Sequence, residues 1–187
     1  MSEDPRSQHE RMLAGDWYTA DDEIRALTGR AQRLANLYAE MWKVDPIAAR
    51  EVLADLLGSL GEHTVIRPPL YVDYGVHLQV GARTFVNFGL VALDVAEIRI
   101  GDDVQIGPNV QLLTPVHPVE PLPRLNKLES AKPIIVGNNV WLGGGAIVCP
   151  GVTIGDNTVV GAGAVATKDL PANVLAVGNP ARPVRAI

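Results

Sequence analysis

The spacing of apolar residues along the chain changes once, from a helical period to a period of six. Within "TADDEIRALTGRAQRLANLYAEMW", residues Ile24, Leu27, Leu34, Leu37, Tyr38 and Met41 fall mostly three, four or seven apart. That spacing predicts an amphipathic helix whose apolar stripe is interrupted by Gly29. In "DPIAAREVLADLLGSLG", Asp45 suits an N-cap and Pro46 the first turn, and Ala48, Val52, Leu53, Leu56, Leu57 and Leu60 form the apolar face of a second helix. Helices this short are not stable alone, so their apolar faces must pack against the rest of the chain or another subunit.

From about Val80 the hexads "VGARTF", "VNFGLV", "IGDDVQ", "IGPNVQ", "VGNNVW", "LGGGAI", "VCPGVT", "IGDNTV" and "VGAGAV" follow one another with few slips. An aliphatic residue holds the first place (Val80, Val86, Ile100, Ile106, Val136, Leu142, Val148, Ile154, Val160), usually followed by Gly, and a small or β-branched residue tends to hold the fifth. No helix keeps a strict period of six with one apolar face. A β-solenoid does, because short repeats bury a continuous core by stacking. Three hexads close a triangular coil of roughly 18 residues, with coils stacked at about 4.8 Å. The aliphatics then point inward, and Gly and Asn take the corner conformations. The expected division is a helical segment over 1–62 and a β-helix over 63–187. Residues 116–133 abandon the pattern and contain Pro118, Pro121 and Pro123, so they should leave the coil as an exposed loop, the kind of insertion that carries function.

Composition narrows the class. A chain of 187 residues supports one main core. A net charge of -5 without any Lys/Arg run argues against nucleic acid as a partner, local basic spots at Arg182 and Arg185 notwithstanding. No long apolar run predicts a membrane span, and the start "MSEDPRSQHERM" lacks the apolar centre of a signal peptide, so a soluble, cytoplasmic protein is expected. The single cysteine, Cys149, has no disulfide partner in the chain and fills a small-residue slot of the repeat, as a buried small hydrophobe would.

Among residues that could carry chemistry, His117 stands at the root of the excursion, with Glu129 at its return. A carboxylate that accepts from one imidazole nitrogen leaves the other free to take a proton. A catalytic zinc site needs about three converging ligands; only His77 and His117 fall in or near the coils, so no metal is expected. Gly144 and Ala162, 18 apart, stack in such a coil with Pro180 following, which would leave a straight groove for an extended ligand arm. Thr167, Lys168, Arg182 and Arg185 lie further along and could meet phosphates.

The segments "VNFGLVALDVAEIRIGDDVQIGPNVQLLTPVHP", "LESAKPIIVGNNVWLGGGAIVCPGVTIGDNTVVGAGAVATKDLP" and "VGNPAR", with "LAGDWY" near the start, resemble the hexapeptide-repeat sugar O-acetyltransferases, the maltose and galactoside acetyltransferases and their nodulation-factor relatives. The resemblance runs from about Glu10 to Ile187. It implies a left-handed parallel β-helix, an exception to the usual crossover rule, assembled as a homotrimer with sites between subunits. It implies acetyl transfer from acetyl-CoA to a carbohydrate hydroxyl, with His117 as base, Glu129 orienting it, and Asn87 and Asp94 meeting the acceptor beside Phe85 and Arg124. In some relatives an acidic residue shortly after the entry motif contacts the acceptor; Asp21 or Asp22 is the candidate here, with a spacing one residue short. On the donor side Trp141, Gly144, Ala162, Thr167, Lys168, Arg182 and Arg185 match positions lining the coenzyme A site. A non-sugar hydroxyl acceptor, or a silent solenoid used for assembly, are the other readings the residues permit.

Overall fold

The computed structural model describes residues 5–187, in which most of a helical cap shares the main core of a parallel β-solenoid, while Met12, Tyr18 and Ile24 join Tyr74, Val95 and Ala131 in a smaller one. The cap comprises α1 (Gln8–Leu13), α2 (Asp22–Trp42) and α3 (Pro46–Leu56). The apolar pattern predicts α2 and α3 but misses α1, which buries only Met12. Its signal is a capping box: the Ser7 hydroxyl accepts from Glu10 N–H and the Glu10 carboxylate from Ser7 N–H. Asp45 caps α3 as expected, accepting from the N–H groups of Ile47 and Ala48 at 3.0 and 3.1 Å. Leu37 is a correction. The buried line of α2 runs Ile24, Ala31, Tyr38 at intervals of seven, and Leu37, one residue or about 100° aside, faces solvent. The cap is tied to the first coil by Arg50, which donates to the carbonyls of Gly61 and Thr64 at 2.8 Å each, and by the Tyr38 hydroxyl, which donates to the Ile66 carbonyl.

The solenoid has three faces, each a stack of short parallel strands. The first stacks Ser59–Leu60, Leu78–Val80, Ile98–Ile100, Ile134–Val136 and Thr153–Ile154. On the second, Val65–Ile66, Phe85–Val86, Gln105–Ile106, Trp141–Leu142, Val159–Val160 and Val174–Val177 are finished by the antiparallel strand Arg182–Ala186. Leu70–Val72, Leu90–Leu93, Gln111–Leu113, Ile147–Val148 and Val165–Ala166 make the third. The first rung, Ser59–Leu60, precedes residue 63, where the sequence pattern suggested the β-helix to begin.

Every first-place aliphatic from Val80 to Val160 is buried, and so is every fifth-place residue, including Thr84 and Thr158, whose hydroxyls donate to the carbonyls of Gly101 and Pro171. Each such aliphatic contributes roughly 1.5–3 kcal/mol over leaving it exposed. The second-place glycines answer a different need. A Cβ on Gly143 would stand 2.5 Å from the backbone nitrogen of Ala162 in the next coil, so only Gly lets the coils stack this closely. Half-buried Cys149 packs against the same core, and burial pushes its thiol pKa up, away from the thiolate.

Coil length is not uniform. Val65 pairs with Phe85 and Phe85 with Gln105, a period of 20; Trp141 pairs with Val159, a period of 18; Val159 pairs with Leu175, a period of 16. The strict 18 expected from the repeat therefore holds for Gly144 and Ala162 but fails beyond them. With Val160 paired to Ala176, the register carries the column to Gly178 rather than Pro180.

Candidate active site

Where the repeat breaks, the chain leaves the third face as a ribbon. Pro115–Val116 pairs antiparallel with Ser130–Ala131, and the tip carries α4 (Pro121–Leu125), so the excursion is more ordered than the loop its prolines predict. The register pairs Val116 with Ser130 and so sets His117 and Glu129 at the next step, opposite each other. Arg124 donates to the carbonyls of Pro118 and Val119 at 3.0 and 2.6 Å, closing the tip on itself. That use of one guanidinium nitrogen gives Arg124 a role within the loop.

The segment "LAGDWY" straps the ribbon down. Tyr18 and Glu129 exchange both backbone hydrogen bonds at 2.9 Å, and the Ser130 hydroxyl donates to the Gly15 carbonyl at 2.8 Å. The buried Tyr18 phenol donates to Glu129 Oε2 at 2.9 Å. Burial, with the Tyr74 and Glu129 groups nearby, raises the phenol pKa far above its ordinary value, so the proton stays on Tyr18. Within the chain Glu129 thus takes its proton donor from Tyr18 and not from His117. The His117 side chain is exposed and makes no hydrogen bond among the described residues.

Asp94 is held by backbone donors. It is 0% exposed, its Oδ1 accepts from the N–H groups of Asp73 and Tyr74 at 3.0 and 2.9 Å, and its Oδ2 accepts from His77 N–H at 3.1 Å. The His77 ring donates Nδ1–H to the Asp94 carbonyl at 2.8 Å. With both carboxylate oxygens accepting from backbone donors, Asp94 holds the turn 73–77. The carboxylate this turn presents is Asp73, half-buried, its pKa pushed up to about 6 by burial and then by the Asp94 and Glu129 charges. Neighbouring Tyr74 is pushed up to about 12, again by burial first. Sequence reasoning missed Asp73 because it lies in "YVDYGV", where the hexad pattern is not yet regular. Asp21 and Asp22 are also occupied locally: Asp21 caps α2 through Ile24 N–H at 3.1 Å, and Asp22 pairs with Arg25 at 2.7 Å.

Asn87 and Phe85 lie elsewhere, Phe85 on the second face and Asn87 at the corner between the second and third faces. Asn87 is half-buried; its Oδ1 accepts from Phe88 N–H at 2.9 Å, which leaves its amide NH2 to donate outward. In their coil the strand Leu90–Leu93 separates this corner from Asp94, a span of roughly 13 Å at about 3.3 Å per residue. The donor-side residues divide in the same way. Gly144 and the exposed Ala162 stack at the corner that holds Asn87, with Gly163 N–H donating to the Gly144 carbonyl at 3.0 Å. Trp141, 56% exposed, lies on the second face between Gln105 and Val159, and Arg182 and Arg185 are exposed on the strand that ends that face. Thr167 and Lys168, also exposed, follow the last strand of the third face, at the corner where the ribbon departs.

Residues 133–168 match the family described as bacterial transferase hexapeptide (six repeats), and residues 11–61 match the maltose acetyltransferase hexapeptide capping motif. The chain is 46% identical over 185 residues to nodulation protein L of Rhizobium leguminosarum bv. viciae, covering 95% of this chain and 94% of that protein. This chain belongs to the hexapeptide-repeat acetyltransferase family. Its fold superimposes on a maltose O-acetyltransferase from Clostridium difficile 630 with a TM-score of 0.96 at 38% identity, covering 98% and 99% of the two chains. It also superimposes on a galactoside acetyltransferase in complex with coenzyme A, with a TM-score of 0.93 at 36% identity over 97% and 92%. In this acetyltransferase the capping motif spans α2 and α3 and ends beside the first rung, while the repeat match covers the coils that carry Gly144 and Ala162. No helix of the described residues is long and apolar enough to cross a membrane.

Proposed function

We propose that the protein transfers the acetyl group of acetyl-CoA directly to a hydroxyl of a sugar or glycoside, at sites formed between the chains of a cytoplasmic homotrimer. The observation that carries this reading is the division of the candidate residues: His117, Glu129, Asp73 and Lys168 gather at one corner of the solenoid, Asn87, Gly144 and Ala162 at another. One full face separates them within a chain. A cyclic assembly that sets the first corner of one chain against the second corner of its neighbour unites them, and the solved coenzyme A complex of a relative supports the donor half.

At such a site one nitrogen of the exposed His117 takes the acceptor hydroxyl proton as the oxygen attacks the thioester carbonyl. The carbon–sulfur bond then breaks and the proton passes from the imidazolium to the coenzyme A thiolate. The amide NH2 of Asn87 hydrogen-bonds the acceptor, and the Gly144 N–H, which has no partner among the described residues, faces the developing oxyanion. Base catalysis contributes about 10²–10⁴ in rate and an oxyanion donor about 10²–10³. Glu129 orients His117 from the opposite strand while Tyr18 fixes Glu129, and Asp73 accepts from acceptor hydroxyls. Small residues at Gly144 and Ala162 leave room for the pantetheine arm, flanked by Trp141 and Thr167, with Lys168, Arg182 and Arg185 toward the phosphates.

Thiol release from acetyl-CoA, followed across a panel of glucosides, galactosides and hydroxylated non-sugars, tests this reading. Acetylation of at least one glycoside with release of one equivalent of coenzyme A is expected. Turnover confined to non-sugar hydroxyls would reassign the acceptor class, and absence of acetyl-CoA binding by calorimetry would leave a solenoid without catalysis.

A further inference from the structure

One cation near the candidate site is held in an unusual way. The Arg67 guanidinium lies over two phenyl rings, 5.2 Å from the centroid of Phe85 and 4.9 Å from that of Phe88. Several other surface cations here find carboxylates: Arg83 pairs with Asp102 and Asp103, Arg99 with Glu97, Lys43 with Glu40. Among the described residues no carboxylate lies within ion-pairing distance of Arg67, and its side chain makes no hydrogen bond to the protein. A guanidinium resting on ring faces is held in orientation, while its N–H groups point outward in the plane, where they match the paired oxygens of a carboxylate or phosphate.

The position of Arg67 gives this arrangement a purpose. Ile66 pairs with Val86, Val86 with Ile106, Ile106 with Leu142 and Leu142 with Val160, so Arg67, Asn87, Gly107, Gly143 and Gly161 form one column. Coils repeat at about 4.8 Å. Arg67 therefore sits one coil from Asn87, on the side away from the Gly144–Ala162 groove. An acceptor whose reacting hydroxyl lies at the level of Asn87 must project its remaining atoms past Arg67. Phe85 and Phe88 are themselves part-exposed and give that portion an apolar bed.

We infer that Arg67, set by Phe85 and Phe88, is a specificity-determining residue that selects acceptors bearing an anionic group, a carboxylate or a phosphate ester, at the end remote from the acetylated hydroxyl. The inference rests on the acetyl-transfer reading above and names its substrate class. The acceptor is then polarised in binding: hydroxyls toward the acidic corner with Asp73, anion toward the guanidinium.

The test compares methyl glucoside, methyl glucuronide and glucose 6-phosphate with the purified full-length protein and acetyl-CoA, reading kcat and KM for each acceptor by thiol release. At least one anionic sugar should exceed the neutral one about tenfold or more in kcat/KM, the size of one charge-assisted hydrogen bond. The difference should lie chiefly in acceptor KM and shrink with added salt. Arg67→Ala should bring the ratio to within about threefold, and Arg67→Lys should keep part of it, since the charge survives and the fork does not. Melting temperature and the KM for acetyl-CoA, measured on each variant, report folding and the donor site. Equal or better use of the neutral glucoside by the unmodified protein, or a preference that survives Arg67→Ala, overturns the inference while acetyl transfer stands. Thiol release with none of a wider glycoside panel would instead overturn the acetyl-transfer reading, and this inference with it.

Discussion

Tyr18 and Glu129, 111 residues apart, are joined by three hydrogen bonds: the two backbone bonds of an antiparallel bridge and one from the Tyr18 phenol to the Glu129 carboxylate, each at 2.9 Å. The phenol is the only one of the three that a substitution can remove cleanly. Tyr18→Phe should keep the bridge and leave a half-buried carboxylate short of its donor, at a cost of about 1–3 kcal/mol. A lowered melting temperature together with a reduced kcat, at unchanged KM for acetyl-CoA, is the expected result. A variant with normal kcat would show that Glu129 needs no help from Tyr18.

His117 is exposed on the ribbon and contributes no contact to either apolar core cluster. His117→Ala should therefore lose on the order of 10²-fold or more in turnover with a melting temperature within about a degree or two of the parent, since surface substitutions usually change stability by less than about 0.5 kcal/mol. Near-full activity with a good acceptor would remove His117 from the role of base.

How much of this was legible in the sequence follows from how local each determinant is. The inward faces are set by single residues at a fixed spacing, and every first- and fifth-place position from Val80 to Val160 is where the hexads put it. The corners are equally local: the fourth place carries the positive φ angles at Arg83, Asp103, Asn139 and Asn157 and at Gly89, Gly145 and Gly163. The first coil was obscured because Arg67, Pro68, Pro69 and Asp73 interrupt its repeat, and with it went the sight of Asp73 and of the Arg67 column. Coil length escaped as well, since corners of different size add residues without changing the hexad. Nothing in "ALDVAE" shows that the Asp94 carboxylate will accept three backbone N–H groups from residues 73–77. The partner of Glu129 lies in a strap far away in the chain.

Asp73 makes stability depend on pH. Its pKa, near 3.8 in a free side chain, is pushed up to about 6, by burial first and then by Asp94 and Glu129. A raised folded-state value means that the fold binds the proton more tightly, so this contribution is full below about pH 4 and is lost as pH rises through about 6. Because Asp73 is only half-buried, screening reduces the effect to on the order of 1 kcal/mol. Asp73→Asn should melt higher than the parent at pH 8, by about 2–4 °C, with the gap closing at pH 4.5. Equal gaps at both pH values would show that Asp73 carries no shifted proton.

Ala162 is exposed at the third place of its hexad and stacks on Gly144. Ala162→Trp should raise the KM for acetyl-CoA well above any change in the acceptor KM, since the indole fills the groove assigned to the pantetheine arm. Overpacking of a core position would act differently, lowering stability by about 1–3 kcal/mol and affecting both substrates through loss of folded protein. A folded variant with an unchanged KM for acetyl-CoA would place the donor elsewhere.

The proposed partition of the site between chains has a direct consequence for mixed assemblies. Asn87 stands at the corner between the second and third faces, and His117 on the ribbon beyond the third, with Leu90–Leu93 and Gln111–Leu113 among the strands of the face between. If each site takes His117 from one chain and Asn87 from its neighbour, His117→Ala and Asn87→Ala damage different halves. Homogeneous preparations of either should be nearly inactive, because every site then lacks one group. Unfolding the two together at equal concentration and refolding them should restore intact sites wherever a chain with a good His117 adjoins one with a good Asn87. For random mixing in a closed ring that is about a quarter of the sites. Activity near a quarter of the refolded parent is the expected result, and it should fall on dilution below the dissociation range of the assembly. Recovery of nothing, in a mixture that sediments as the parent does and still binds acetyl-CoA, would put His117 and Asn87 to work within one chain and contradict the partition.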